Sequence, residues 1–138
     1  MTPKPNRGVS GGIPIRGWLA DCSPQFRDEF LALTRPKAVA AGGVIYRAGD
    51  VGRDLFGIRS GVILVQCRFT HPDAVLLHML RAGEWFGTLD WLSERTRRFS
   101  AVARTDVELL RVPGDEMQAF LQRRPEGYAK LGRNAGYG

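Results

Sequence analysis

The chain has 138 residues, 43% of them hydrophobic and 25% charged, with a net charge of +6 and a pI near 10; that mixture describes one soluble globular domain with room for a single compact core. It excludes a membrane span, since the longest apolar stretch, Ala74 to Leu80, is broken by His78 and falls far short of the ~20 residues a bilayer requires. The positive charge favours anionic partners, but it is scattered, with Arg95, Arg97 and Arg98 as the one dense cluster, so it reads as a solvated basic face and not as a stripe that tracks a duplex.

Residues 1–17 hold three prolines and four glycines around dispersed Val9, Ile13 and Ile15, which predicts a flexible lead-in. They lack the basic, apolar, small-residue order of a signal peptide. Ser23 then precedes Pro24, an N-cap followed by proline at the first helical position, and Phe26, Phe30 and Leu33 share a face at helical spacing. The helix is expected to end before Pro36. From Lys37 to Val112 the texture changes to short apolar or β-branched runs divided by glycine turns, the spacing of sandwiches, barrels and jelly rolls. The predicted strands are 38–40, 44–47, 55–58, 62–69, 74–81, 99–104 and 107–112. Within 62–69, Ile63, Val65, Cys67 and Phe69 share one face by the two-residue period, with Gln66 and Arg68 on the other. Leu89 and Leu92 suit one or two helical turns inserted at 88–94. Beyond Pro113, Met117, Phe120 and Leu121 come together in a helix over 115–124 that ends in basic residues before Pro125. Tyr128 and Leu131 begin a further helix that is weakened by Gly127 and Gly132. Cys22 and Cys67 stand alone and far apart, which argues against a disulfide framework or metal site and sets a reducing, cytoplasmic setting as the expectation.

Five glycines punctuate the strand region: Gly43, Gly49, Gly61, Gly83 and Gly87. Each suits a positive φ or a close backbone approach at a turn. Their order, in GGVIYRAGDVGRDLFGIRSGVILVQ, LHMLRAGEWFGTLDWL and RRFSAVARTDVELLRVP, resembles the cyclic-nucleotide-binding domain of the Crp/Fnr regulators across roughly 18–131. The resemblance implies a mainly β fold, a double-stranded β-helix or jelly-roll-like β-roll with flanking helices. It divides the chain into a flexible segment 1–17, a roll domain 18–131 and a flexible end 132–138 at the start of a dimerisation helix. The long dimerising helix and helix-turn-helix of a full regulator are not visible after Leu131, so DNA is a partner only through a domain beyond this sequence.

What the resemblance implies for the site is a small-molecule effector, cyclic AMP, cyclic GMP or another small anion, and a homodimer as the assembly. In the family a short cassette helix offers its first-turn amides to a cyclic phosphate. An arginine adds its fork of donors, and a glutamate after the cassette glycine accepts from the ribose hydroxyl. Phe86, Gly87, Thr88 and Leu89 fall on the cassette and Arg97, Arg98 and Ser100 on the arginine side. Thr88 stands where the glutamate would be, exchanging a charge-assisted bond of ~1.5–3 kcal/mol for a neutral one of ~0.5–1.5, which is about tenfold in affinity. Counting back from Ala103 selects Arg97 as the phosphate arginine, whereas counting forward from Gly87 selects Arg98. The plainer readings are two exposed arginines in a hairpin loop, a Thr88 N-cap, and Trp85, Phe86 and Trp91 as core packing.

Two further classes stay in view. One is a stand-alone regulatory or scaffolding module with an unoccupied pocket. The other is a cupin-like metalloenzyme, which needs two histidines one residue apart on a strand, whereas His71 and His78 are seven apart. His78, between Leu77 and Met79, reads instead as a hydrogen-bonded residue in or beside the core. No Ser/His/Asp, Cys/His or paired-carboxylate arrangement supports catalysis.

Overall fold

A computed structural model describes residues 9–10, 12–68, 75–93 and 96–133. In chain order these form β1 (Val9–Ser10), β2 (Ile13–Pro14), a 3-10 helix (Gly17–Asp21), α1 (Pro24–Leu31), β3 (Arg35–Val39), β4 (Val44–Tyr46), β5 (Leu55–Ser60), β6 (Ile63–Arg68), β7 (Val75–Leu80), β8 (Trp85–Phe86), α2 (Thr88–Ser93), β9 (Ser100–Ala103), β10 (Val107–Val112), α3 (Gly114–Arg123) and α4 (Glu126–Arg133). Two antiparallel four-stranded sheets, β3-β10-β5-β8 and β4-β9-β6-β7, make the mainly β, jelly-roll-like roll that the glycine order implies.

Two apolar clusters, where the composition led to the expectation of a single core, follow from the alternation of strand side chains, which sends one face of β5 into the roll and the other against the helices. Phe56 and Ile58 of β5 point into the roll with Tyr46, Ile63, Val65, Leu80, Phe86 and Leu109. Leu55, on the opposite face, joins a helical core with Trp18, Phe26, Phe30, Met117, Phe120 and Leu131. Gly57 shares that opposite face, and a Cβ there would lie 2.6 Å from the Trp85 ring, so the absence of a side chain lets β8 close over β5. The start signals for α1 hold, while the helix ends at Leu31, so Leu33, expected on the same helical face, lies in the turn beyond it and still packs against the core. Ser23 Oγ accepts from the Phe26 amide at 3.2 Å, and Phe26 and Phe30, one turn apart, are 2% and 0% exposed, each burial contributing roughly 1.5–3 kcal/mol.

The two ends of the domain depart from expectation. Within the segment read as flexible, Val9 pairs with Pro14 and Ser10 with Ile13, and Ile13 is fully buried. Strands of two residues have no period to display, which is why the lead-in looked featureless. At the other end α4 runs to Arg133, past the expected boundary at Leu131. Lys130 Nζ ties it back to the Asp21 carbonyl at 2.5 Å. The expected strand ends at Phe69 and Ala74, and residues 134–138, lie outside the described residues. Strand β3 starts at Arg35, three residues before the expected 38, because β10 continues its ladder through Pro36 to Arg35.

Gly61 illustrates why the glycine order matters. Its φ is +93°, and a Cβ there would meet the Asp106 carbonyl oxygen at 2.4 Å. Gly61→Ala is expected to lower unfolding free energy by about 3 kcal/mol, read as an earlier urea midpoint at unchanged slope. A second expectation concerns pH. Arg124 grips both oxygens of Glu29, at 2.8 and 2.7 Å, and that hydrogen bonding holds the Glu29 carboxyl below its ordinary range. The clamp therefore stabilises the domain above the unfolded carboxylate value of about 4.3 and is lost as pH falls through the lower folded value. Urea melts of wild type should lose stability in that acid window more steeply than those of Glu29→Gln; parallel profiles would refute this.

Candidate functional site

Arg97 lies just before β9, and the chain fixes it from both sides. Its amide donates to the Asp50 carbonyl at 2.9 Å, and its carbonyl accepts from the Gly49 amide at 2.7 Å. The side chain turns inward and is 4% exposed. Nη2 donates to the Asp54 carbonyl at 2.7 Å, and the guanidinium carbon sits 4.2 Å from the centre of the Tyr46 ring. Arg98 is exposed. The count back from Ala103 thus selects the arginine that enters the roll, and the reading of both arginines as exposed loop residues is corrected for Arg97.

Gly87 adjoins the fork. Its φ is +85°, and a Cβ at this position would lie 2.8 Å from the Asp54 carbonyl oxygen and 2.9 Å from Arg97 Nη1. Only a residue without a side chain leaves both groups in place. The Gly87 carbonyl accepts from the Trp91 amide at 3.1 Å, so Gly87 occupies the cap position of α2. Thr88 is the first helical residue, which corrects its reading as the N-cap. It is 4% exposed and lines a cleft with Arg16, Trp18 and Trp85 that Arg97 does not line. Leu89 is the next residue of α2.

Two other expected site residues serve elsewhere. Phe86 is fully buried and stacks on Phe56 with ring centroids 5.3 Å apart, the core role of the plainer reading. Ser100 faces away from the roll interior, as its inward neighbour Ala101 requires, and its hydroxyl accepts from the Ala48 amide at 2.9 Å. His71 lies outside the described residues; His78 is half-buried opposite Val65 of β6.

Sequence reasoning did not single out Tyr46 or Asp54, nor a specific partner for Trp91. Asp54 is a junction: its carbonyl receives Arg97, its Oδ2 receives Arg111 Nη1 at 3.0 Å, and its Oδ1 receives the Gly114 amide at 3.2 Å. From the other side, Trp91 Nε1 donates to the Gly114 carbonyl at 3.0 Å, and its ring lies 6.1 Å from Tyr128 of α4. The first residue of α3 is therefore held between the loop beneath Arg97 and α2. A short Arg-Asp pair before a strand was the available signal for Asp54, but nothing local distinguishes it from a turn.

The fold is a jelly-roll-like β-roll with a short helix, α2, beside a buried arginine, and comparison with known proteins gives its family. The profile described as cyclic nucleotide-binding domain matches residues 36–124. A cyclic nucleotide-gated potassium channel of Rhizobium etli is 34% identical over 120 residues, covering 81% of this chain and 32% of the channel. The cyclic AMP receptor protein of Thermus thermophilus is 31% identical over 114 residues, covering 83% of this chain and 51% of the receptor. The crystal structure of the Thermus thermophilus catabolite activator protein superposes with a TM-score of 0.76 at 26% identity, covering 84% of this chain and 55% of that one. This chain belongs to the cyclic nucleotide-binding domain family. It spans about a third and about half of the lengths of the two curated relatives.

The Asp54 junction yields a graded expectation. Asp54→Ala removes the acceptor for a helix-end amide and for a partly exposed arginine, and should cost about 1–2 kcal/mol. Asp54→Asn keeps an oxygen for Gly114 and should recover roughly half of that. Urea denaturation of the three proteins checks the order; an Asn variant no better than Ala would refute the capping role.

Proposed function

We propose that this chain is the ligand-sensing module of a Crp-type transcription regulator, and that its effector is a cyclic nucleotide or another small anion held by Arg97. The observation that carries this reading is the arginine itself. A guanidinium drawn inside a roll, bordered by a glycine with no space for a side chain, supports a role for Arg97 in meeting an anionic ligand. Arginine suits a phosphate because its fork donates two parallel bonds. Family membership supports the same class of ligand. The DNA-reading half, a homodimer, a cytoplasmic location and a non-catalytic role belong to this proposal as well.

A specific observation favours the alternative of a stand-alone regulatory or scaffolding module whose nucleotide pocket is unused. Arg97 is engaged by the Asp54 carbonyl and the Tyr46 face, and Thr88 lines a different cleft. A phosphate must therefore compete with contacts the protein already makes, and Thr88 stands where the family's glutamate would hold the ribose.

Calorimetric titration with cyclic AMP and cyclic GMP decides between them. The sensor reading expects measurable binding to wild type, loss of at least about a hundredfold in Arg97→Ala because a bound phosphate loses its charge-assisted partner, and a change within about twofold in Arg98→Ala, whose side chain is solvated. Absence of binding to wild type, or equal binding by Arg97→Ala, removes nucleotide sensing and leaves the scaffolding alternative.

A further inference from the structure

On the outer side of the cassette lies a cleft of about 250 Å3, walled by Trp18, Leu80, Trp85 and Leu131 and edged by Arg16 and Glu84. Neither Arg97 nor Tyr46 nor Asp54 lines it, so it is separate from the arginine site. Its volume is below the roughly 300–1,000 Å3 of pockets for drug-sized ligands, which limits an occupant to a small molecule.

The walls are mainly apolar and aromatic. Trp18 is 3% exposed and Leu131 1%, and the Trp18 and Trp85 rings meet edge to face with centroids 6.3 Å apart. The indole N–H groups of both tryptophans are buried with no acceptor among the described residues. The edge is charged with both signs. Arg16 lies across Gly83, where a Cβ would come 2.6 Å from its Cδ, and is anchored by an Nη1 bond to the Ala82 carbonyl at 3.1 Å. Glu84 is fixed through Oε2, which accepts from the Arg81 amide at 2.5 Å.

A fixed cation and a fixed carboxylate at the edge of an aromatic cleft disfavour a singly charged ligand of either sign, since each meets one like charge. A phosphate ester would gain Arg16 but meet the like charge of Glu84, without the second pair that a ligand of both charges makes. We infer that the cleft binds a small zwitterion with an apolar body, the chemical class of the free aromatic and branched amino acids. The ligand carboxylate takes charge-assisted bonds from Arg16, its ammonium faces Glu84, and its body packs among Trp18, Trp85, Leu80 and Leu131. An ammonium beside two indoles also gains from their negative ring faces.

Three probes with one phenyl body and different charge test this: L-phenylalanine, 3-phenylpropionate and phenethylamine. Two of the three tryptophans of the chain line the cleft, so intrinsic fluorescence reports occupancy, with thermal melting as an independent readout. Phenylalanine should bind at least about fivefold more tightly than either analogue, the scale of one partly solvated ion pair. Arg16→Gln should erase its advantage over phenethylamine, and Glu84→Gln its advantage over phenylpropionate. No response to any probe up to its solubility limit overturns the site. Equal binding of all three to wild type, or a phenylalanine preference that survives both substitutions, overturns the zwitterion assignment.

Discussion

The structure is organised around a guanidinium withdrawn from water. Moving a charge into a protein interior costs several kcal/mol even after relaxation, so the surroundings of Arg97 have to answer for it. They do so with an accepting carbonyl from Asp54 and the face of Tyr46, a stacked arrangement worth up to about 2 kcal/mol when desolvated. Lysine would fit poorly, because its compact, strongly hydrated ammonium neither stacks flat nor forks. The same constraint explains the glycine at 87, where a Cβ would lie 2.9 Å from Nη1; one at Gly52 would make only ordinary contact, 3.6 Å from Nη2.

From that centre the interactions run outward to the helices. The Asp54 backbone faces Arg97, while its carboxylate holds Arg111 and the first amide of α3. Helix starts leave amides without intrahelical acceptors, and α3 begins at a glycine preceded by proline with no side-chain cap of its own. Asp54 supplies from across the fold what the local sequence lacks. Trp91 then fixes the Gly114 carbonyl, so α2 and the arginine loop share one fastening point on α3. A Cβ at Gly114 would meet the Arg53 carbonyl oxygen at 2.6 Å, which makes the closeness of this joint a property of the glycine.

Much of the architecture was readable along the chain because it rests on local patterns. The Ser23-Pro24 start and the Phe26–Phe30 spacing are contained in one helix, and β10 was bounded correctly at 107–112 because Val107, Leu109 and Val112 mark a strand against Asp106 and Pro113. Strands β1, β2 and β8 escaped because two residues cannot express a period of two. The site was harder for a different reason. Adjacent Arg97 and Arg98 look alike and two ways of counting disagree on them; what distinguishes Arg97 is its pair of backbone bonds to Gly49 and Asp50 and its side-chain bond to the Asp54 carbonyl, all of them to residues 43 or more positions away. Tyr46 matters because β4 carries it to within 4.2 Å of a residue 51 positions away (97 − 46), a closeness that no window of sequence contains.

Thr88 shows how a single helix can face two chemistries. It opens α2 and borders the outer cleft, while Gly87, the cap of the same helix, borders Arg97. Occupants on the two sides can influence one another only through a difference in affinity between two arrangements of that helix, and such coupling is reciprocal for binding. The joint at Gly114 limits what those arrangements are. A shift of α2 that keeps Trp91 bonded to the Gly114 carbonyl must carry α3 with it, and one that leaves α3 in place must break a buried bond of about 1 kcal/mol net and strand its donor. Coupling across α2 is therefore cheapest when α2 and α3 move as a unit, a motion that α4 also feels through the contact of Tyr128 with Trp91.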